Sequence, residues 1–373
     1  MKVLFVTHHY LDGFGGGTFA SRGYINAFAR IADEITLLCP VRGDRMPESI
    51  DPSVRIVPVE DRRGRLAKLA RIIAGRLHRY DDAFPGDLGK CSYDHVVFDT
   101  CYPSFRMIAP AHDAGCKVVT IHHNFQLDFV RDNTVGPLRA VMSYWTRRCE
   151  REAVLKSDLN LVLTNTDREL LRKHYDPGRR GVIRVLGVFE YSQRPALVPP
   201  PHPAEPVFVI TGDLGIRQTE VSLLDWTKRF YPILAGLVPG ARIIVAGKNP
   251  AKRIRDLCRD YGFELIPSPP DMSVVLSRGR YYICPTALGG GLKLRIMDGL
   301  KAGMPVLTHA VSARGYEGFE GFCLFAYDDV PSFRKGLEDL LCAEVHPADI
   351  VSRYDSVFSF GSGVERLRNL LFE

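Results

Sequence analysis

Residues 285–306 read Pro-Thr-Ala-Leu-Gly-Gly-Gly-Leu-Lys-Leu-Arg-Ile-Met-Asp-Gly-Leu-Lys-Ala-Gly-Met-Pro-Val, and they decide the fold of this 373-residue chain. An apolar run, Tyr281–Cys284, ends at Pro285, and three glycines follow. Leu292, Ile296 and Leu300 recur at helical spacing with Met297 beside them, which predicts a helix over Leu292–Ala302. Gly303 suits its C-terminal cap, Pro305 cannot continue it, and a strand resumes at Val306–Thr308. Consecutive glycines carry an entropic penalty, so they are expected where backbone must approach a ligand closely. Their N–H groups and the helix start favour an anion such as a diphosphate. Lys293 and Arg295 add positive charge, and Asp298 brings a carboxylate that can bind a ribose diol. The alternative is an ordinary strand–helix–strand crossover.

Working outward, short apolar runs alternate with helical patterns, as in parallel sheets built from βαβ units. Downstream the strands are Val207–Thr211, Ala241–Ala246, Glu264–Ile266, Tyr281–Cys284 and Val306–Thr308, with helices over Glu220–Ala235 and Pro250–Tyr261. Upstream they are Lys2–Thr7, Glu34–Cys39, Val54–Val59, His95–Phe98, Lys117–Ile121, Asn160–Leu163 and Val182–Leu186. Helices are expected over Thr18–Ala32, Leu66–Arg79, Ser104–Ala114, Pro137–Lys156 and Asp167–His174. Between the halves, Pro195–Pro206 holds six of the chain's 25 prolines and suits a semi-rigid extended linker. The expected fold class is α/β: two Rossmann-like parallel-sheet domains facing across a cleft. Their expected bounds are 1–194 and 207–355, with the linker at 195–206.

Composition agrees with this. Apolar residues make up 46% and charged residues 25%, which excludes disorder and long coiled coils. The nine cysteines are scattered, without a C-x-x-C pair, and read as small buried hydrophobes. No run reaches the ~18–20 apolar residues of a membrane span, and the N-terminus reads as a strand rather than a leader, so a cytoplasmic protein is expected. Net charge is +6, and residues 61–80 alone hold seven basic side chains against Asp61. That stretch fits an amphipathic helix over 62–79, with Leu66, Leu69, Ala70, Ile73 and Leu77 on one side. Such a helix suits an anionic membrane surface, or packs its stripe on the first sheet; both readings stay open. Basic character confined to one patch argues against a nucleic-acid partner.

Two further motifs lie in the first half. Gly13-Phe-Gly15-Gly16-Gly17-Thr18 joins strand to helix and can hold a sugar or phosphate, serve as a dinucleotide fingerprint with Ala20, or simply turn the chain. Gly16, Gly17 and Thr18 are candidate ligand contacts. His122-His123-Asn124 ends a strand, the edge where open parallel sheets bind ligands. Either imidazole and the Asn124 amide can hydrogen-bond a sugar or phosphate. Zinc ligands at suitable spacing are lacking.

With these residues quoted, the chain resembles the GT-B glycosyltransferases, in particular the retaining group called family 4 in its bacterial polysaccharide subgroup. Gly289-Gly290-Gly291, Lys293, Arg295, Asp298, Gly303 and Pro305 fill that group's nucleotide-sugar motif. Thr211–Pro232 is similar to its first C-domain strand and helix, and Ala246-Gly247-Lys248 to the next strand end. The family's E-x7-E acids would fall at 290 and 298, where this chain has Gly290 and Asp298. Its basic pair is represented by Arg217, with Lys248, Lys293 or Arg295 as the second cation. The resemblance implies a cytoplasmic enzyme, peripheral to the membrane, that carries a sugar from a nucleoside diphosphate sugar to a glycan or lipid-linked acceptor. Retention is implied, with His123, His122 and Arg217 catalytic, Gly16 and Gly17 on the donor side, and Asn124 and Thr18 on the acceptor side. It also implies that the final helix, within 356–373, crosses back to the N-domain. The alternatives are a nucleotide-sugar 2-epimerase of the same fold and a non-catalytic binding protein. No D-x-D occurs, so neither a metal nor another cofactor is expected.

Overall fold

The computed structural model describes residues 1–13, 15–41, 47, 49–60, 64–78, 93–194, 199 and 202–372. Half of Pro195–Pro206 (residues 195–198, 200 and 201), residues 62, 63 and 79 of the basic stretch, Phe14 and Cys91 lie outside them. The chain divides into two compact units, Met1–Arg194 with Phe358–Glu373, and Pro195–Val357.

Unit 1 runs β1 (Lys2–Thr7), α1 (Gly16–Ile31), β2 (Glu34–Val41), β3 (Arg55–Glu60), α2 (Arg65–Ile73), β4 (His95–Asp99) and α3 (Cys101–Asp113). It continues β5 (Lys117–His122), α4 (Gln126–Asn133), α5 (Pro137–Lys156), β6 (Leu159–Val162), α6 (Asn165–Tyr175) and β7 (Ile183–Val185). Its seven described strands are all parallel, in the order β3-β2-β1-β4-β5-β6-β7. Unit 2 holds β8 (Val207–Asp213), α7 (Arg217–Arg229), α8 (Tyr231–Leu237), β9 (Arg242–Lys248), α9 (Lys252–Tyr261), β10 (Glu264–Pro267), α10 (Met272–Leu276) and β11 (Tyr281–Cys284). Then come α11 (Arg295–Lys301), β12 (Val306–His309), α12 (Ala310–Ala313), β13 (Leu324–Tyr327), α13 (Val330–Cys342) and α14 (Pro347–Phe358). Its six described strands, also parallel, follow the order β10-β9-β8-β11-β12-β13. The last helix, α15 (Phe360–Phe372), belongs to unit 1.

Apolar strands with both faces covered explain the continuous hydrophobic runs. Val3–Val6 and Ile243–Ala246 are buried throughout. In unit 2, Trp226, Phe230 and Phe333 pack with Phe208 and Ile243 into one core.

Three differences from the sequence reading have local causes. The helix expected over Glu220–Ala235 is two, because Pro232 lacks an N–H and its ring crowds the carbonyl four residues back. The helix expected from Leu292 begins at Arg295: Gly289 (φ 83°) and Gly291 (φ 68°) are left-handed, so the glycines form a loop. The helix expected over 62–79 is short, and its stripe does not pack on the sheet. Leu66 is 84%, Ile73 59% and Leu69 44% exposed.

The final helix is fastened to unit 1 by α1 and by the strand-end segment around Phe189. Arg366 Nε donates to the Leu186 carbonyl at 2.5 Å, and Glu190 N donates to Phe358 O at 2.8 Å. A β-carbon at Gly363 would overlap the Phe189 ring. Gly363→Ala should therefore lower the melting temperature, at a cost of about 1–3 kcal/mol from overpacking. Gly361→Ala, on the same helix in open space, should stabilise by about 0.5–1 kcal/mol. Equal melting temperatures for the two variants would refute this packing.

Candidate functional site

In each sheet the strand order reverses beside the first strand, between β1 and β4 and between β8 and β11. Loops leaving such a point diverge to opposite faces and open a crevice at the carboxyl ends of the strands.

In unit 2 that edge is built around Arg295. Its Nη1 donates to Thr286 Oγ1 at 3.1 Å, and its Nη2 to Thr219 Oγ1 at 3.2 Å. The guanidinium thus ties the ends of β11 and α7 together. It lies over the β8 end, where a β-carbon at Gly212 would come within 2.8 Å of Arg295 Nη1. Gly212 pairs in register with Gly247, and a β-carbon at Gly247 would overlap the Gly212 carbonyl. Lys293 Nζ donates to the Gly290 carbonyl at 3.0 Å, so it folds back on the glycine loop. Tyr316 OH holds the same loop from below, donating to Lys293 O at 2.9 Å. A β-carbon at Gly289 would meet Gln218 Nε2 at 2.8 Å and Lys293 Nζ at 3.1 Å. Arg217 is the exposed first residue of α7. Lys248, exposed, ends β9 beside Asp213. Asp298 is half-buried on α11, 3.9 Å from Lys301 Nζ.

In unit 1 the edge is built around Asp99, the last residue of β4 and the register partner of Thr7. Asp99 has no solvent exposure. Its Oδ2 accepts from Thr7 Oγ1 and Ser21 Oγ, each at 2.5 Å, and its Oδ1 faces His123 Nε2 at 2.5 Å. Burial pulls this carboxyl upward, but the imidazoles of His123 and His9 and the Ser21 hydroxyl outweigh it. The group stays below the usual carboxylate range. The next residue, Thr100, has φ 98°, an unfavourable conformation for a β-branched residue, and its Oγ1 meets His8 Nδ1 at 2.9 Å. The glycine motif fits this cluster: α1 begins at Gly16, and a β-carbon at Gly17 would come within 2.8 Å of His9 Cε1. Arg22 shapes the same loop by donating to Leu11 O and Gly13 O. Thr18 is buried and donates to Tyr10 O at 3.1 Å.

The two neighbouring histidines part company. His122, inside β5, is buried with its Nε2 2.9 Å from Asn160 Oδ1 on β6. Burial pushes this imidazole down to about 4. Its partner is a structural amide, so it packs the sheet, while His123 joins Asp99. Asn124, partly buried, begins the turn into α4.

No family model and no curated protein matches this chain in sequence. Solved structures match over its full length. Sucrose-phosphate synthase from Thermosynechococcus elongatus superposes with TM-score 0.73 at 14% identity, covering 99% of this chain and 98% of that one. The lipopolysaccharide outer core galactosyltransferase WaaB gives 0.67 at 16%, covering 100% and 99%. Anabaena HepE in complex with UDP gives 0.64 at 13%, again covering 100% and 99%. These are GT-B glycosyltransferases. The chain has the GT-B fold.

Several polar residues of this GT-B chain's strand ends escape a motif search: His9, Asp99 and Thr100 in unit 1, and Gln218, Thr219 and Thr286 in unit 2. Asp99 closes an apolar strand, a legible signal only once β1, β4 and β5 are known to be neighbours. Glu150, on α5, is another. It is fully buried and accepts from the backbone N–H groups that start α4, Gln126 at 2.6 Å and Leu127 at 3.2 Å, and from Tyr175 OH at 2.9 Å. Burial pushes its carboxyl up to about 8. The unfolded chain releases this proton above its ordinary value of 4.5, while the fold keeps it to about 8. The Glu150 contribution is therefore fully present at acid pH and lost as pH rises towards 8. The melting-temperature difference between wild type and Glu150→Gln should move steadily in the variant's favour between about pH 5 and pH 8. A pH-independent difference would refute the buried neutral carboxyl.

Proposed function

We propose that this chain is a glycosyltransferase that moves a sugar from a nucleoside diphosphate sugar to a glycan or lipid-linked acceptor. Retention of anomeric configuration and a role in cell-surface polysaccharide biosynthesis are part of the proposal. The observation that carries it is the unit 2 edge, where Arg295, Lys293 and a left-handed glycine loop gather at the strand-order reversal. The UDP-bound neighbour of the same fold supports a nucleotide-sugar donor. In this reading unit 2 is the donor domain. Asp298 binds the ribose, and Gly289, Gly290 and Gly291 lie along the diphosphate. Arg217, with Lys248, Lys293 or Arg295, stabilises charge growing on the leaving phosphate. Unit 1 is the acceptor domain, where His123 meets a sugar hydroxyl, Gly16 and Gly17 contact the donor, and Thr18 and Asn124 lie on the acceptor side. The lack of a D-x-D pair favours cationic side chains over a metal clamp.

A panel of nucleotide sugars tests this. Release of free nucleoside diphosphate is expected with one of them. Interconversion without release would make the protein an epimerase, and binding without turnover a receptor. Asp298→Ala should weaken donor binding, and Arg217→Ala should lower kcat about a hundredfold. Wild-type kcat/KM in both would refute the assignment.

We further propose that unit 1 works on the inner face of an anionic membrane. Among the described residues no helix is long and apolar enough to cross one. The exposed Leu66, Leu69 and Ile73 on α2, with Lys68 exposed on the same helix, instead form an amphipathic surface. Trp145 Nε1 anchors α2 by donating to Ile73 O at 3.1 Å, with Tyr144 exposed beside it. Such a face binds by apolar burial plus about 1 kcal/mol per basic residue. Co-sedimentation with anionic vesicles is expected at low salt, and loss is expected at high salt and in a Leu66→Ser/Lys68→Glu variant. Failure to bind at low salt would overturn it.

A further inference from the structure

His9, Asp99 and His123 bring their nitrogen and oxygen atoms within 4.8 Å of one another at the carboxyl edge of the unit 1 sheet. Such a trio can ligate an ion or form a hydrogen-bonded dyad. The hydrogen bonds on the carboxylate favour the dyad. His123 Nε2 and Asp99 Oδ1 are 2.5 Å apart, a charge-assisted hydrogen bond. The other carboxylate oxygen already serves the Thr7 and Ser21 hydroxyls. Both oxygens of Asp99 are thus engaged, by β1, α1 and the residue after β5.

We infer that Asp99 is a positioning residue: it holds the Nε2–H of the His123 ring, so that whenever the ring carries a single proton Nδ1 is the hydrogen-bond acceptor for a sugar hydroxyl. A neutral imidazole has one N–H, and the carboxylate takes it. The Nδ1 left over is buried and has no partner among the described residues. The side chain is only 8% exposed, so bulk water is a poor substitute. Its plane is set by two flanking rings, His9 at 5.2 Å and Tyr24 at 5.9 Å in an edge-on arrangement. Tyr24 is itself fixed, donating to Gly187 O at 2.7 Å. A buried acceptor with a fixed direction calls for an O–H donor, and a carbonyl or phosphate oxygen would not satisfy it. The inference rests on the glycosyltransferase reading for the hydroxyl's identity and not for the tautomer.

Two measurements test it separately. In the first, nitrogen-15 NMR of histidine-labelled wild type should place the proton of His123 on Nε2, with a far-downfield proton signal, once the ring is neutral. A proton on Nδ1 would overturn the proposal. So would joint stoichiometric shifts of His9 and His123 with added Zn²⁺, which would make the trio a metal site. In the second, on the donor that wild type turns over, Asp99→Asn should lower kcat about tenfold or more while donor KM stays within about twofold. His123→Gln should lower kcat as well, and the double variant should be no worse than His123→Gln alone, since Asp99 acts through the ring. Additive losses would overturn it. Titration with UDP, ADP, GDP and TDP in turn keeps the two readings apart. Absence of binding by all four nucleotides defeats the transferase reading and leaves the NMR result to decide the dyad.

Discussion

The carboxylate of Asp99 sits where water cannot reach it, and a buried charge is tolerated only when its oxygens are fully engaged. Meeting that requirement draws on Thr7 from β1, Ser21 from α1 and His123 from the turn after β5. Three segments far apart in sequence are thereby held at one end of the sheet. The adjacent features follow from the same constraint. The chain leaves β4 through Thr100 in a left-handed conformation, and α1 can approach His9 only with a glycine at 17. An unfavourable backbone and a bare α-carbon are acceptable here because the hydrogen-bond network determines the geometry around them.

Unit 2 solves a related problem with the opposite charge. Arg295 bonds to two threonine hydroxyls, which orient the guanidinium without neutralising it. Its positive charge stays available to an anion. The glycines at 212, 247 and 289 are the steric counterpart, each at a place where a β-carbon would strike a backbone or a polar side chain. The repeated strand-order reversal puts the anionic cluster of unit 1 and the cationic cluster of unit 2 at equivalent edges of two similar sheets. One topology, used twice, carries two electrostatic characters because the strand ends carry different residues.

α2 shows how burial reverses a simple expectation. An apolar stripe on a helix ordinarily belongs to the core, yet Leu66, Leu69 and Ile73 face outward. The helix is attached to α5 through Trp145, whose ring occupies the space a side chain at Gly75 would need. The chain then turns at Gly75, with φ 74°, and Leu77 supplies the apolar contact to Cys101, Tyr102 and Cys149. With the core contact made by Leu77, the stripe upstream stays exposed.

Local sequence by itself determined the alternation of strands and helices, because runs such as Val3–Val6 and Tyr281–Cys284 fit only a sheet covered on both faces. It also determined the glycine positions and the cations around 293–295, since backbone access and charge are properties of single residues. It could not tell His122 from His123, or distinguish Asp99 from any other aspartate at a strand end. Those roles depend on which strands are neighbours and which face a side chain takes. Pairing β1, β4 and β5 sets Thr7, Asp99 and the approach to His123 side by side. The outward face of α2 was equally undetermined, because periodicity locates a stripe and leaves open what covers it. In each case the missing information is a long-range contact, and the desolvation and hydrogen-bond energies that distinguish one role from another arise only when that contact forms.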